Sequence, residues 1–253
     1  MPYRKLVIQQ TSFVFATDLH GDNREYDVVE RLYSFCEDYK PVHRIFGGDL
    51  FDFRALRSKA SQAEKRDSMI ADIECGLEFL EKFRPSVFLL GNHDHRLWRT
   101  VETTENGVIR DQAEQGIKYI KNKCRKIKCK IIPYDSKEGV FYLNNVAFIH
   151  GYAHGIQATK KHAEIYALDG GIVLHGHTHA IQQATIQRRG RAEGRAVGCL
   201  CRLDMDYSIH QTNRLAHANG WAYGLVWKDG YEVFQAKQQI DKTWVLASEL
   251  KRT

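Results

Sequence analysis

The sequence predicts an α/β fold in which apolar strands deliver polar residues from their C-terminal ends. Short apolar runs recur through the first two-thirds of the chain, and many of them run directly into Asp, Asn or His. Segments with apolar residues at helical spacing alternate with these runs, which makes β-α-β units. Beyond His179 the pattern becomes an alternation of apolar and polar residues, which predicts a second, largely antiparallel sheet.

The elements follow in order. Phe13 to Thr17 is a strand that ends in Asp18-Leu19-His20-Gly21-Asp22. Tyr26 to Tyr39 places Val28, Val29, Leu32, Tyr33, Phe35 and Cys36 at helical spacing, and Pro41 stops it. His43 to Phe46 is the next strand and ends in Gly47-Gly48-Asp49. A charged segment from Ser58 to Phe83 is expected to be helical and leads through Pro85 into a strand at Val87 to Leu90, which ends in Gly91-Asn92-His93-Asp94-His95. A helix around Val108 to Lys121 precedes strands at Lys130 to Ile132, Val140 to Leu143 and Val146 to Ile149, the last emptying into His150-Gly151. Ile156 to Leu168 reads as a helix, and Ile172 to Leu174 as a strand running into His175-Gly176-His177-Thr178-His179. The alternating segments are Ile181 to Ile186, Ala222 to Trp227 and Tyr231 to Phe234. With no internal repeat or low-complexity linker, residues 1–253 are expected to form a single domain. The Gly/Arg-rich stretch Arg188 to Gly198 is expected to be a surface loop, part of a loop or cap element at 188–220.

Composition narrows the function classes. Lys and Arg number 37 against 31 Asp and Glu, a net charge of +6 that suits phosphate-bearing partners but is far from that of a histone-like binder. Met1 to Gln10 offers only Leu6 to Ile8 as an apolar stretch, too short for a signal peptide or a membrane span. Six cysteines without a C-x-x-C pair read as reduced thiols, so a cytoplasmic protein is expected, with no membrane and no protein partner. Cys199 and Cys201 read as a zinc knuckle or as two buried thiols on one face of a strand.

Buried polar groups without partners cost roughly 2 to 7 kcal/mol each, so strands that all end in Asp, Asn or His need something to satisfy them. Divalent cations do so, because carboxylate and amide oxygens and imidazole nitrogens suit Mn, Fe, Zn or Ni and no thiolate is required. In open α/β sheets such ligands sit beyond the carboxyl ends of the strands. Asp18-x-His20 alone is also an Asx-turn beside a surface histidine, and His177-x-His179 alone is also a pair of exposed imidazoles. The ordered set is what selects the metal reading.

That set, Asp-x-His, Gly-Asp-x-x-Asp, Gly-Asn-His-Asp, His-Gly and Gly-His-x-His, spans Asp18 to His179 and resembles the calcineurin-like metallophosphoesterase superfamily. The resemblance implies a four-layer α/β/β/α sandwich with two packed mixed sheets. It implies two divalent metal ions, Mn foremost with Fe, Zn, Ni or Mg as alternatives. One would be held by Asp18, His20 and His179, the other by Asn92, His150 and His177, with Asp49 bridging. It also implies His93 as general acid, oriented by Asp52. Two cations held together activate a shared water for in-line attack on phosphorus. A carboxylate beside an imidazole helps to keep it protonated near such charges.

Other residues near the motifs are ambiguous. Asp22 and Asp94 read as acceptors behind the ligand imidazoles or as turn and cap residues. Arg54, His95 and Arg96 are candidate phosphate clamps, His154 a candidate for the cleft, and His175 a substrate contact or a satisfied core histidine.

The substrate is read mostly by exclusion within the resemblance. Phosphoprotein phosphatases of the superfamily typically carry Gly-Asp-x-x-Asp-Arg-Gly and Gly-Asn-His-Glu, whereas Phe53 and Asp94 stand at the arginine and glutamate positions here. The lipid-precursor pyrophosphatases share Gly-Asp-Leu-Phe-Asp but usually lack the histidine found at His93. Nucleotide or nucleic-acid phosphodiesters are therefore expected, with a phosphomonoesterase, a nucleotide pyrophosphatase or a non-catalytic metal-binding scaffold as alternatives. Seven Lys or Arg residues between Lys118 and Lys130, and four arginines between Arg188 and Arg195, read as a nucleic-acid track or as solvated faces. Gly198 to Gly220, with Asp204, Asp206, Tyr207 and His210 and with Trp221 just beyond, looks like phage and bacterial exonuclease-like phosphoesterases.

Overall fold

The computed structural model describes residues 10–204 and 216–246. Its strands are β1 (Gln10–Ala16), β2 (His43–Phe46), β3 (Val87–Leu89), β4 (Lys130–Ile132), β5 (Val140–Leu143), β6 (Val146–Ile149), β7 (Ile172–His175), β8 (Ile181–Thr185), β9 (Glu193–Val197), β10 (Gly220–Trp227), β11 (Gly230–Gln238) and β12 (Trp244–Val245). The helices are α1 (Tyr26–Tyr39), α2 (Met69–Phe83), α3 (Asn92–Thr103), α4 (Gly107–Lys126) and α5 (Ala158–Tyr166), with a single turn at Arg188–Arg191. One sheet has the order β12-β11-β10-β1-β2-β3-β4, the other β5-β6-β7-β9-β8. β1 to β4 run parallel, as do β6, β7 and β9, and the remaining pairs are antiparallel, so both sheets are mixed.

The layers follow from which residues face which way. Phe13 and Phe15 of β1 point between the sheets, where both rings pack on Phe148 of β6 at 5.2 and 5.3 Å. Val14 and Ala16 point the other way, into the core that α1 and α2 close with Val28, Leu32, Phe35, Phe79 and Phe83. On the second sheet Phe148 and Leu174 face the inter-sheet core, while Ala147, Ile149 and Val173 lie under Ala163 and Tyr166 of α5. Strands covered on both faces read as unbroken apolar runs, and the four-layer α/β/β/α sandwich expected from the resemblance is the fold observed. Among the described residues no helix is long and apolar enough to cross a membrane.

Four local readings differ from the sequence expectation. β10 and β11 extend the first sheet beside β1 and do not form a second one, because alternation specifies a half-buried strand and not its partner. Glu193 to Val197, expected in a surface loop, is β9, inserted between β7 and β8. Its glycine and arginine have packing reasons. A Cβ on Gly194 would lie 2.7 Å from the Thr159 carbonyl of α5, and Arg195 donates to the Val233 carbonyl at 2.7 Å and pairs with Glu193. The helix expected from Ser58 begins only at Met69, where Ser68 caps it by accepting from the Ala71 N–H; residues 58–68 offer no large apolar side chain to hold a helix down. Little apolar periodicity in the sequence marks α3, whose first turn carries Asn92 and His93. Asp206, Tyr207 and His210 lie outside the described residues.

Candidate metal centre and active site

The chain ends of β1, β2, β3, β6 and β7 meet at one edge of the sandwich, and each delivers donor atoms there. Hydrogen bonds prolong the parallel pairing past the strands: Asp18 N–H donates to Gly48 O at 2.9 Å and His20 N–H to Asp49 O at 3.0 Å. Asp18, His20, Asp49, His177 and His179 all adopt positive φ, between 51° and 67°. Non-glycine residues enter this region at a cost of about 1 to 3 kcal/mol each and cluster where function demands it. Motif glycines have a steric reason too. A Cβ on Gly48, at φ 98°, would sit 2.7 Å from both Gly91 N and His150 Nδ1, and one on Gly91 would collide with the Asp49 carboxylate.

Two groups of donors share Asp49. Asp18, His20 and Asp49 bring one ligand atom each to within 4.8 Å of one another, and Asp49, His150 and His177 do the same. In the first group His20 Nε2 lies 3.1 Å from His179 Nε2, and His179 Nε2 lies 3.4 Å from Asp18 Oδ1. In the second, the Asn92 amide oxygen stands 3.0 Å from His150 Nε2 and 2.8 Å from His177 Nδ1, with Asp49 Oδ2 3.4 Å from His150 Nε2. All seven metal-ligand candidates therefore converge.

The donor set fits cations on its own chemistry. His150 Nδ1–H donates to the Gly47 carbonyl at 2.8 Å, which turns the Nε2 lone pair of the neutral ring toward the Asn92 and Asp49 oxygens. Acceptor facing acceptor in a buried site is unfavourable unless a cation stands among them or the imidazole takes a proton. Burial alone would lower the His150 pKa, but the Asp49 and Asp18 carboxylates push it up to about 9. Burial likewise would raise Asp18, yet its hydrogen bond with His179 and the charges of His179 and His150 bring it down to about 2. The pocket thus holds negative charge that attracts any available cation.

His93 stands at the edge of both groups. Its N–H donates to Asp49 Oδ1 at 2.8 Å and its Nδ1 to Asp52 Oδ1 at 2.6 Å, leaving Nε2 toward the cleft, 3.9 Å from Asp49 Oδ2. Burial lowers the His93 pKa; Asp49 and Asp52 oppose that without overcoming it. Burial would raise the Asp52 carboxyl as well, but the His20 ring 3.5 Å away and the hydrogen bond from His93 hold it far below the usual range.

The surrounding residues fall into distinct tasks. Arg54 is tied down: both Nη atoms donate to Asp22 at 2.8 Å and Nε donates to Asp67 at 2.7 Å. Arg96 donates to the Asp52 carbonyl at 2.8 Å, and the His95 ring packs near Tyr134. Asp94 accepts from the Gly91 and Phe51 N–H groups, so it caps α3 and binds two ligand loops together without touching a ligand imidazole. His175 is a satisfied core histidine, its nitrogens on the Gly176 carbonyl and the Thr159 hydroxyl. Cys199 and Cys201 are buried together; Cys201 Sγ lies 3.8 Å from His179 Nδ1, and His20, His179 and Cys201 each bring a donor atom to within 4.8 Å of one another.

Three residues carry no motif that marks them in the sequence. Buried His162 accepts the N–H groups of Tyr152 and Ala153 on Nε2, at 2.9 and 3.0 Å, and so shapes the loop after His150. His217 places its ring 5.1 Å from that of His179. Asp72, buried in the first turn of α2, accepts from Asp52 N–H at 3.1 Å and Phe53 N–H at 2.6 Å, which positions the loop that carries Asp52. Burial pushes Asp72 up to about 6 from the ordinary carboxyl value of 3.8, against the pull of those N–H groups. A carboxyl raised in the folded state contributes most below its unfolded pKa, and the contribution is lost as pH rises through about 6. Asp72→Asn is therefore expected to gain on the wild type by up to about 3 kcal/mol between about pH 4 and pH 7 in urea unfolding, whereas parallel profiles would refute it.

The cleft over this edge has a volume of ≈ 570 Å³ and is lined by Asp49, Asn92, His93, His154, Ile156, His177, Ile181 and His217 among others. No Lys or Arg lines it among the described residues. The basic segments lie elsewhere. α4 ends at Lys126 and feeds β4, whose Lys130 pairs with Val87 at the start of β3, the end opposite Asn92. The Arg188–Arg191 turn feeds β9, whose Glu193 pairs with Ile172 at the start of β7, again opposite the histidines.

A family model described as calcineurin-like phosphoesterase matches residues 11–181, more than half of the chain and all of the donors above. The chain belongs to the calcineurin-like phosphoesterase family. Family membership implies metal-dependent phosphoester hydrolysis and divalent metal ions. No curated protein sequence matches this calcineurin-like phosphoesterase. Among solved structures it is similar to YfcE, a phosphoesterase from E. coli, at 14% identity and a TM-score of 0.44, over 93% of this chain and 97% of that one. It is also similar to Vps29 from Chaetomium thermophilum, at 10% identity and a TM-score of 0.48, over 93% and 92% of the two chains. A phosphoesterase predicted in Streptococcus pneumoniae matches at 14% identity and a TM-score of 0.40, over 91% of each chain.

Proposed function

We propose that this protein hydrolyses phosphodiesters of nucleotide size at a binuclear centre, with His93 as general acid. Asp18, His20 and His179 would hold one divalent cation and Asn92, His150 and His177 the other, with Asp49 shared, and Mn is the first choice of metal. Bound there, such cations neutralise phosphoryl charge and lower the pKa of water. The chain's own part is positioning and proton transfer. Asp52 holds His93 Nδ1, so Nε2–H of the imidazolium faces the cleft and donates to the departing oxygen. Asp72 and Arg96 hold the Asp52 backbone on either side, which keeps the pair aligned.

The observation that carries the diester reading is the lack of Lys and Arg along the cleft wall among the described residues. A phosphomonoester or pyrophosphate brings further negative charge that a Lys or Arg would meet, and among the described residues none lines the cleft. Arg54 is committed to Asp22 and Asp67, and neither His95 nor Arg96 lines the cleft, so all three are the weakest of the proposed phosphate contacts. Nucleic-acid polymers are less favoured than small diesters, since both basic segments stand at the far edge. A cytoplasmic location belongs to the same proposal, supported by six free cysteines and checked by cell fractionation.

The deciding experiment is a substrate panel on Mn-loaded protein: an aryl phosphodiester, cyclic nucleotides, single- and double-stranded DNA, RNA and an aryl phosphomonoester. Turnover of small diesters above all others is expected. No diester turnover with Mn, Ni, Mg, Zn or Fe supplied would sink the proposal.

A further inference from the structure

We infer that Ile156, with Ala180, Ile181 and Ala216, forms a subsite for an uncharged apolar or aromatic substituent of the phosphodiester; this rests on the function proposed above. Ile156 has 81% of its surface in water, although it lines the same cleft as Asp49, Asn92 and His93. A branched aliphatic side chain left in water beside a polar centre gives up the roughly 25 cal/mol per Å² that burial provides, unless a ligand covers it.

The backbone beneath Ile156 is held on both sides. Before it, His154 meets His177 Nε2 at 3.0 Å, and Gly155 takes φ 78° to turn the chain. At Ile156 itself the carbonyl accepts from Gln182 Nε2 at 2.9 Å, while Gln182 Oε1 accepts from Thr159 at 2.9 Å. Gln182 therefore spends its amide on fixing the loop to β8 and has little left for a polar ligand. The result is an apolar lip on an anchored backbone, in the same cleft as the proposed phosphate position and without Lys or Arg among the described lining residues. A pocket of this character gains from each apolar group that enters it and offers a second charge no partner.

Equilibrium binding of phosphinates, which have no ester bond to hydrolyse, tests this without turnover. On Mn-loaded protein, diphenylphosphinate is expected to bind at least about tenfold more tightly than dimethylphosphinate by calorimetry, the scale of a few buried methylenes. Ile156→Ser should bring the two within about threefold while leaving dimethylphosphinate unchanged. Ile156 is exposed, so folding is not at stake, and Ile156→Glu should weaken diphenylphosphinate further by bringing charge to the wall. Equal affinities in the wild type, or a preference that survives Ile156→Ser combined with Ile181→Ser, would overturn the subsite. Hydrolysis of bis(4-nitrophenyl) phosphate is read separately: its absence would overturn the reaction proposed above, whereas a diphenyl preference lost in Ile156→Ser would still support the subsite.

Discussion

Asp49→Ala is expected to weaken both cation positions at once and to lower hydrolysis by orders of magnitude. Its Oδ2 lies 3.4 Å from His150 Nε2 and 3.8 Å from His20 Nε2, and its Oδ1 holds the His93 N–H at 2.8 Å, so one side chain touches both donor groups and His93. Burial would raise its pKa, but His150, His93 and His20 lower it well below the usual range, so it is anionic at any working pH. Without it the first group keeps one carboxylate and two imidazoles, and the second only neutral donors. Metal analysis after dialysis should fall from about two equivalents to below about one, and diester turnover by about 10³-fold or more, the scale of losing a principal electrostatic group. Retention of both equivalents would show that Asp49 is not shared. The variant should fold, since loss of the charge also relieves the burial of an anion, and circular dichroism checks that.

The second large effect belongs to His93→Ala. Here the cations should stay, because no donor in either group is removed, while turnover of alkyl diesters falls by about 10²- to 10⁴-fold, the range of general acid catalysis. A diester with a nitrophenolate leaving group needs little protonation and should lose far less. Loss of metal in this variant would make His93 a ligand. The pH profile carries a second signature. An acid must be protonated to act, so kcat/KM for alkyl diesters should fall as pH rises through the His93 pKa, which burial has lowered. That limb should vanish in His93→Ala. Asp52→Asn, which removes one of the groups raising the His93 pKa, should move it to lower pH.

Both expectations start from residues that can be read in the sequence. α1 runs over Tyr26–Tyr39 and β2, β4, β5 and β6 over the residues their periodicity predicts, because apolar spacing reports directly which faces are buried. The donor residues are legible for a related reason: polar side chains at the ends of apolar strands are tolerable only where something satisfies them, and their order along the chain identifies the family. β9 was harder to see. Gly194 is there to let α5 approach the sheet and Arg195 to pair across it, and neither requirement leaves a periodic trace. α3 was missed because its buried side reduces to Asp94 and Leu97.

What the sequence by itself determined is the chemistry of the donors, the reaction class and most strands. Partnership was decided by the tertiary structure. Asp72 and His162 act on backbone N–H groups some 10 to 20 positions away in the chain, so no local pattern announces them. Arg54 passes from a free charge to a side chain spent on Asp22 and Asp67. The basic segments, compelling as composition, were set at the far edge because α4 and the Arg188–Arg191 turn feed the beginnings of parallel strands, while the donors follow their ends. Charge is a property of the residue, but its distance from the reacting phosphate is a property of strand direction, and only the folded chain fixes that.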